Sequence, residues 1–382
     1  MVGIKSDKIV LADALFDGYV YWKDGKILSV TKEALPCDTL YDYTGKYVSP
    51  GLIDLHTHGA GGYDFTNSSP EEIAEGCNVH LSHGTTSILP TVMASPFDVM
   101  KKATASIAGA KASGKVKGNL IGANLEGPYL SAAQCGAQCP DYITPPIEDQ
   151  YCALVEEFGD VIARWCYAPE NDENGRFARY LQEHKILPSA GHTDAKYEDV
   201  KVAMENGMRL VTHLYSCTST VTRDHGFRSL GVIESAFLRD DLFVEIIADG
   251  KHLPPELIQM IVKIKGADRV ALVTDSLYLA GTDQTHGQFR GGNKFIVEDG
   301  VCKLCDRSAF AGSIATADML LRVMRDACGF DLCTAVYMMT VVPAKLLGLP
   351  KGRLCEGFDA DIIVFDEQIA VSDVFVGGEK KI

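Results

Sequence analysis

Two histidines separated by a single residue, His56 and His58, close the apolar run Leu52-Ile53-Asp54-Leu55. On an extended chain, residues two apart point to the same side, so the two imidazoles can share one metal ion. An apolar run that ends in a metal-binding or proton-carrying residue recurs in Leu125-Glu126-Gly127-Pro128, Ala190-Gly191-His192-Thr193, Val211-Thr212-His213-Leu214 and Val273-Thr274-Asp275-Ser276. His252 follows Ile247-Ala248-Asp249-Gly250-Lys251 in the same way, where it could polarise a carbonyl or hold a substrate. Taken singly, each of these reads as a satisfied polar residue. Together they have one economical explanation, because a buried charge is costly unless it is paired or metal-bound. Nitrogen and oxygen ligands without thiolate fit Zn²⁺, Fe²⁺ and similar borderline ions and do not choose between them.

These residues need elements that bring them to one place. Apolar strand-like runs occupy Ser49–His56, Thr85–Thr91, Asn119–Leu125, Val161–Tyr167, Ile186–Gly191, Leu210–Leu214, Phe243–Ala248 and Val270–Thr274. Helical patterns lie between them, at Glu71–His83, Phe97–Ala112, Glu170–His184, Tyr197–Asn206 and Pro255–Lys265. Continuously apolar strands alternating with helices indicate a parallel sheet covered by helices, and eight such units indicate an α/β fold, a closed (β/α)₈ TIM barrel. Such barrels keep their chemistry at the carboxyl ends of the strands, which is where the polar residues fall. The two ends of the chain differ from the middle. Short strands at Lys8–Leu11, Tyr19–Trp22, Lys26–Val30 and Thr39–Tyr43, and again at Asp361–Phe365 and Val371–Val376, predict one small β-sandwich domain built from both termini. The expected division is 1–48 and 346–382 for that domain and 49–345 for the barrel.

Composition narrows the function. The 382 residues carry 36 Lys+Arg against 51 Asp+Glu, a formal net charge of −15, which gives no general attraction for nucleic acid or an anionic membrane. No apolar run approaches the roughly 18 residues of a membrane span. The start, MVGIKSDKIVL, lacks the basic and apolar segments of a secretory signal, so a cytoplasmic location and reduced thiols are expected for the 12 cysteines. Cys302-x-x-Cys305 and Cys135-x-x-x-Cys139 are spaced like ligands, but a structural zinc site usually needs two such pairs. Lys294–Leu304 also alternates like a hairpin turning at Glu298-Asp299-Gly300, so both cysteine pairs read as structural. His80, His83 and His184 fall on helical stretches as packing or surface residues, and His225 and His286 fall in polar loops.

With these residues in hand, the chain resembles the amidohydrolase superfamily and, within it, the N-acetylglucosamine-6-phosphate deacetylase family. The resemblance rests on Pro50-Gly51-Leu52-Ile53-Asp54-Leu55-His56-Thr57-His58-Gly59, Leu125-Glu126-Gly127-Pro128-Tyr129-Leu130, Gly191-His192-Thr193, Thr212-His213-Leu214-Tyr215, Ala248-Asp249-Gly250-Lys251-His252 and Val273-Thr274-Asp275. It implies that Glu126, His192 and His213 hold one divalent ion, and that His56 and His58 complete a second site sharing Glu126. Zn²⁺ is the expected ion, with Fe²⁺ as the alternative, at one or two per subunit. It implies Asp275 as general base and acid, and substrate contacts at Ala137, Gln138, Ser216, Cys217, Arg223, His252, Phe310, Ala311, Gly312 and Ser313. In that family the phosphate-binding arginine comes from a neighbouring subunit, which implies a homodimer.

The chain departs from the family where Ser216-Cys217 replaces the common Asn-Ala and where Gln138 stands in place of a His found in some members. The spacing near Arg223 also shifts, so Arg223 and Arg228 are both candidates for the phosphate. These departures bear on the sugar and leave the metal ligands and Asp275 untouched. The expected reaction is hydrolysis of the acetamide of N-acetylglucosamine 6-phosphate in amino-sugar catabolism, with the galactosamine epimer as the alternative. Cyclic-amide hydrolysis or base deamination on the same barrel is disfavoured: strand four ends Trp165-Cys166-Tyr167-Ala168-Pro169-Glu170, without the bridging Lys of many cyclic amidases. A non-catalytic scaffold is disfavoured because no ligand is missing.

Overall fold

The computed structural model describes residues 1–289 and 291–382, with every side chain among them except that of residue 224. Its centre is a ladder of parallel strands, Leu52–Thr57, Thr85–Met93, Ala123–Glu126, Ile162–Tyr167, Leu187–Ala190, Leu210–Val211, Phe243–Ile247 and Val270–Val273, hydrogen-bonded in chain order. A short strand, Asn119–Leu120, pairs beside the second of these. The ends of the ladder meet at the carboxyl rim, where Asp275 N donates to His56 O at 2.8 Å and His58 N donates to Ser276 O at 2.9 Å. Those two bonds join strand one to strand eight at the residues read as chemical, and the (β/α)₈ barrel expected from the alternation is the fold. Pro90, which has no N–H for a ladder, sits where strand two's register against strand one shifts between Asp54 and Thr57.

The helices at Phe97–Ala112 and Pro255–Lys265 lie where the apolar period placed them. The helix Pro70–Ser82 starts with a capping box in which Glu72 N donates to Ser69 Oγ and Ser69 N donates to Glu72 Oε2 at 2.7 Å. The helix expected over Glu170–His184 is shorter, Arg176–Glu183, and follows two 3₁₀ turns. Asn174 and Gly175 take left-handed φ of 55° and 67°, which a continuous helix excludes. The Asp172 carboxylate then caps the new start by accepting from Phe177 N at 2.8 Å and Ala178 N at 3.0 Å. The hairpin expected at Lys294–Leu304 is the middle of a four-stranded antiparallel sheet, His286–Gln288, Lys294–Glu298, Val301–Leu304 and Phe310–Gly312. His286 is therefore on a strand and not in a loop.

Both termini build one further sheet. Its strands are Val2–Val10, Leu15–Lys23, Lys26–Thr31, Thr39–Asp42 and Tyr47–Pro50 from one end, and Ile362–Phe365, Val371–Val376 and Glu379–Lys380 from the other. The first strand is longer than the Lys8–Leu11 reading because a bulge between Ser6 and Ile9 interrupts its alternation. The sheet curls over its own core, so that Trp22 meets Phe375 edge-on at 5.6 Å although their strands are not neighbours. Among the described residues, no helix is long and apolar enough to cross a membrane.

The barrel interior is polar one layer below the rim. The fully buried Arg164 guanidinium forms a bidentate pair with Glu245 and also donates to Leu55 O at 3.3 Å, Ser189 Oγ at 3.0 Å and Thr212 Oγ1 at 2.7 Å. One cation thus ties strands one, five, six and seven beneath the residues they carry. Breaking a buried pair leaves an uncompensated charge. Glu245→Gln is therefore expected to lower unfolding free energy by about 3–5 kcal/mol, with the apolar double replacement Arg164→Met/Glu245→Met recovering most of it. Denaturant unfolding of the two variants checks this, and equal losses in both overturn it.

Candidate metal centre and cleft

Four imidazoles and one carboxylate converge at the carboxyl rim. Glu126 ends strand three, His56 is the next-to-last residue of strand one with His58 one residue past its end, and His192, His213 and Asp275 each follow their strand by two residues. Glu126 Oε1 lies 3.1 Å from His192 Nε2, 3.0 Å from His213 Nε2 and 3.3 Å from His56 Nε2, and Oε2 lies 3.3 Å from His58 Nε2. Asp275 Oδ1 stands on the far side, 3.1 Å from His58 Nε2 and 3.5 Å from His56 Nε2. All four histidines and Glu126 are buried. His192, His213 and Asp275 carry positive φ of 47°, 25° and 47°, a sparsely populated region that turns each side chain off its strand into the mouth.

The hydrogen-bond accounting shows what belongs between these groups. His192 Nδ1 faces Gln134 O at 2.9 Å and His213 Nδ1 faces Ser216 O at 3.1 Å. A carbonyl only accepts, so both Nδ1 atoms carry the proton and each neutral ring turns a lone pair at Nε2. Those lone pairs point at a carboxylate oxygen, which is stable only with positive charge between them. In addition, neither ring nitrogen of His56, nor Nδ1 of His58, makes a directed hydrogen bond among the described residues. The donor set fits a divalent cation in two groups, Glu126–His192–His213 and His56–His58–Glu126, each with its ligand atoms within 4.8 Å of one another. Among the described residues these are the only such groups of three, and the cysteine pairs form none.

The electrostatics follow from the same packing. Burial opposes protonation of His56 and His58, but the Glu126 and Asp275 carboxylates outweigh it and hold them up at about 9 and about 10. Burial would raise Asp275, yet the His56 and His58 imidazoles pull it down to about 2. Glu126 is held well below its usual range against burial, first by the charge of His56.

Behind the rim runs a chain of buried hydroxyls that single residues gave no sign of. His80 Nε2 lies 3.0 Å from Thr57 Oγ1, which lies 3.0 Å from Ser276 Oγ, which lies 3.2 Å from Thr274 Oγ1. Thr274 Oγ1 donates to Asp54 Oδ2 at 2.6 Å. Its members alternate with the site residues along strands one and eight and hold His56, His58 and Asp275 in register. His80 packs as expected, but within the layer supporting the site.

A cleft of about 260 Å³ opens above the cluster. Its walls include the expected contacts Ala137, Gln138, Ser216, Cys217, His252, Phe310, Ala311 and Gly312, together with Met93, Tyr215 and Ile247. Asp249 Oδ2 orients His252 through Nδ1 at 2.8 Å, and Phe310 packs edge-on against that ring at 5.0 Å. Ser313 lies outside the walls, fully buried, with its hydroxyl donating to Thr274 O. Arg223 and Arg228 also lie outside, directly opposite each other on the exposed hairpin Thr222–Asp224/Phe227–Ser229.

Comparison with known proteins agrees with this geometry. The amidohydrolase family profile matches residues 182–381, more than half of the chain. An N-acetylglucosamine-6-phosphate deacetylase from Lysinibacillus sphaericus is 30% identical over 367 residues, covering 95% of this chain and 93% of the relative. The chain belongs to the amidohydrolase family, in its N-acetylglucosamine-6-phosphate deacetylase branch. An N-acetylgalactosamine-6-phosphate deacetylase from a Shewanella species (strain ANA-3) is 31% identical over 342 residues, covering 89% of this chain and 84% of the relative. The crystal structure of N-acetyl-D-glucosamine-6-phosphate deacetylase from Mycobacterium smegmatis superposes with a TM-score of 0.92 at 26% identity, over 100% of both chains.

In this amidohydrolase, strand four carries Arg164 in its middle and Cys166 next to its end, and no Lys stands there. Burial, reinforced by the Glu126 carboxylate, pushes the Cys166 thiol up to about 11, so it stays neutral. A cation that binds only the folded chain stabilises it by about 4 kcal/mol at a thousandfold excess over Kd. Zn²⁺ added to chelator-stripped protein is expected to produce a shift of that order in unfolding, and Glu126→Ala to remove it. A shift of full size in Glu126→Ala overturns the assignment.

Proposed function

We propose that the protein hydrolyses the acetamide of N-acetylglucosamine 6-phosphate, giving acetate and glucosamine 6-phosphate. The observation that carries the chemistry is Asp275, an ionised carboxylate facing the His56–His58 side of a buried nitrogen and oxygen ligand set at the floor of a sugar-sized cleft. In this reading Glu126, His192 and His213 hold one ion, Zn²⁺ with Fe²⁺ as the alternative, and His56 and His58 hold a second that shares Glu126. When bound, such an ion supplies Lewis acidity and brings the deprotonation of water from a pKa of about 15.7 toward 7.

The residues of the chain do the rest. Asp275 Oδ1, which stands 3.1 Å from His58 Nε2 and 3.5 Å from His56 Nε2, accepts a proton from the attacking water. It then delivers that proton to the sugar amine, which cannot leave as an anion. His252, oriented by Asp249, holds the acetyl carbonyl oxygen as negative charge develops there. Tyr215, Ser216 and Cys217 from the loop after strand six and Phe310–Gly312 line the cleft that takes the sugar in this reading. Residues 49–345 form the catalytic barrel in this reading, and 1–48 with 346–382 form the accessory β-domain.

The phosphate needs a cation, and no Lys or Arg is among the described residues lining the cleft. Arg223 and Arg228 stand together on a hairpin that also presents Phe227, 80% exposed. We read that hairpin as reaching into the cleft of a second copy, so that the active form is a homodimer and one of the two arginines takes the phosphate. The galactosamine epimer is the alternative; one relative carries that name, but the relatives named for N-acetylglucosamine 6-phosphate outweigh it.

Asp275→Asn is expected to lower acetate release by roughly 10²–10⁴-fold with metal content unchanged, as measured by elemental analysis; loss of the metal instead makes Asp275 a structural residue. Metal-loaded wild-type protein is expected to release acetate from N-acetylglucosamine 6-phosphate in preference to N-acetylgalactosamine 6-phosphate and unphosphorylated N-acetylglucosamine. Preference for the epimer moves the specificity and keeps the mechanism, and no release from any of the three sinks the deacetylase reading.

A further inference from the structure

The loop from Ser131 to Cys139 is bound to the ligand set at three points. Ser131 N donates to His192 O at 2.8 Å, and Gln134 O takes the His192 Nδ1 proton. The third point is Gln138, which is 3% exposed and bonded through both ends of its amide. Nε2 donates to Glu126 Oε2 at 2.7 Å, and Oε1 accepts from Ala94 N at 3.0 Å. A backbone N–H only donates and an ionised carboxylate only accepts, so the amide has a single allowed orientation. Turned end for end, both contacts become repulsive.

The oxygen that Gln138 holds is informative. Oε2 is the one facing His58, whereas Oε1 faces His192, His213 and His56. A carboxylate can rotate about its last bond, and the Gln138 contact sets that rotation. It dedicates one oxygen to the His192–His213 pair and presents the other to His58. The loop itself has little room to shift. Gly136 holds φ at 57°, and a Cβ there would lie 2.5 Å from Cys217 Sγ and 3.5 Å from His192 Cε1.

We propose that Gln138 is a positioning residue of the metal centre, acting through Glu126, and not a substrate contact. The proposal rests on the reading of Glu126 as a shared ligand. It gives the residue a role different from the sugar contact implied by the resemblance, although Gln138 borders the cleft. Partners that orient a ligand typically carry a roughly 10–100-fold share of metal affinity, whereas a sugar contact acts on KM.

The test uses Gln138→Met, which keeps the length of the side chain and removes its donor. Zn²⁺ affinity of chelator-stripped protein, measured by competition with a chromophoric chelator, is expected to fall roughly 10–100-fold. At saturating Zn²⁺, KM for N-acetylglucosamine 6-phosphate is expected to stay within about twofold of wild type, with the loss confined to kcat. Gln138→Asn keeps the amide but is one methylene too short to span Ala94 and Glu126, so it is expected to lose affinity as the Met variant does. Unchanged Zn²⁺ affinity with a raised KM makes Gln138 a substrate contact and overturns the proposal, as does wild-type affinity in Gln138→Asn. The affinity measurement needs no substrate, so absence of deacetylation by the wild type would leave this proposal standing on its own evidence.

Discussion

The Glu126 carboxylate is the interaction on which the site depends. It is buried at the centre of the barrel mouth, and an ionised carboxylate there is tolerable only if positive charge and donors surround it. Four imidazole nitrogens and one amide supply that surrounding, and they come from strands one, five and six and from the loop after strand three. No local segment could assemble them. Only closure of the ladder brings residue 56 beside residue 213 and residue 126 beside both.

Closure in turn relies on the polar layer below. Arg164 and Glu245 replace the aliphatic filling common in such barrels with a charge pair whose hydrogen bonds reach four strands. The hydroxyl chain from His80 to Asp54 does the same between strands one and eight. Apolar side chains would fill that space as well, but they leave a strand free to slide, whereas a hydrogen bond has a direction. The ligands sit at strand ends, so a directed layer beneath them converts fold stability into ligand geometry.

The cleft has a softer construction. Its floor is set by strands, but its walls come from the loop after strand three, the loop after strand six, and the antiparallel sheet inserted after strand eight. Of the positions where this chain departs from its family, Ser216, Cys217 and the segment around Arg223 lie on walls or beyond them, whereas Gln138 both lines the cleft and donates to Glu126.

Much of this was legible in the residues. The eight apolar runs, the polar residues at the ends of strands one, three, five, six and eight, and the barrel they imply follow from burial and period, which are local properties of a chain. His56-x-His58 declared itself because an extended strand has a period of two. Other features carried no local signal. Asn174 and Gly175 delay the start of a helix that the apolar period opened at Glu170, since left-handed residues have no periodic signature. Arg164 read as an ordinary strand residue, and its partner Glu245 is 81 positions away. Ser313 looked like a neighbour of the cleft residues Phe310–Gly312, yet its hydroxyl is turned into the barrel wall. Gln138 could be seen as close to the site but not as bonded to Glu126. The sequence by itself determined which residues are able to bind a metal and at which strand ends they stand, because those depend on side-chain chemistry and backbone period. Which of them meet, and through which atoms, was decided only by the tertiary structure, because hydrogen-bond direction and distance exist only once the barrel has closed.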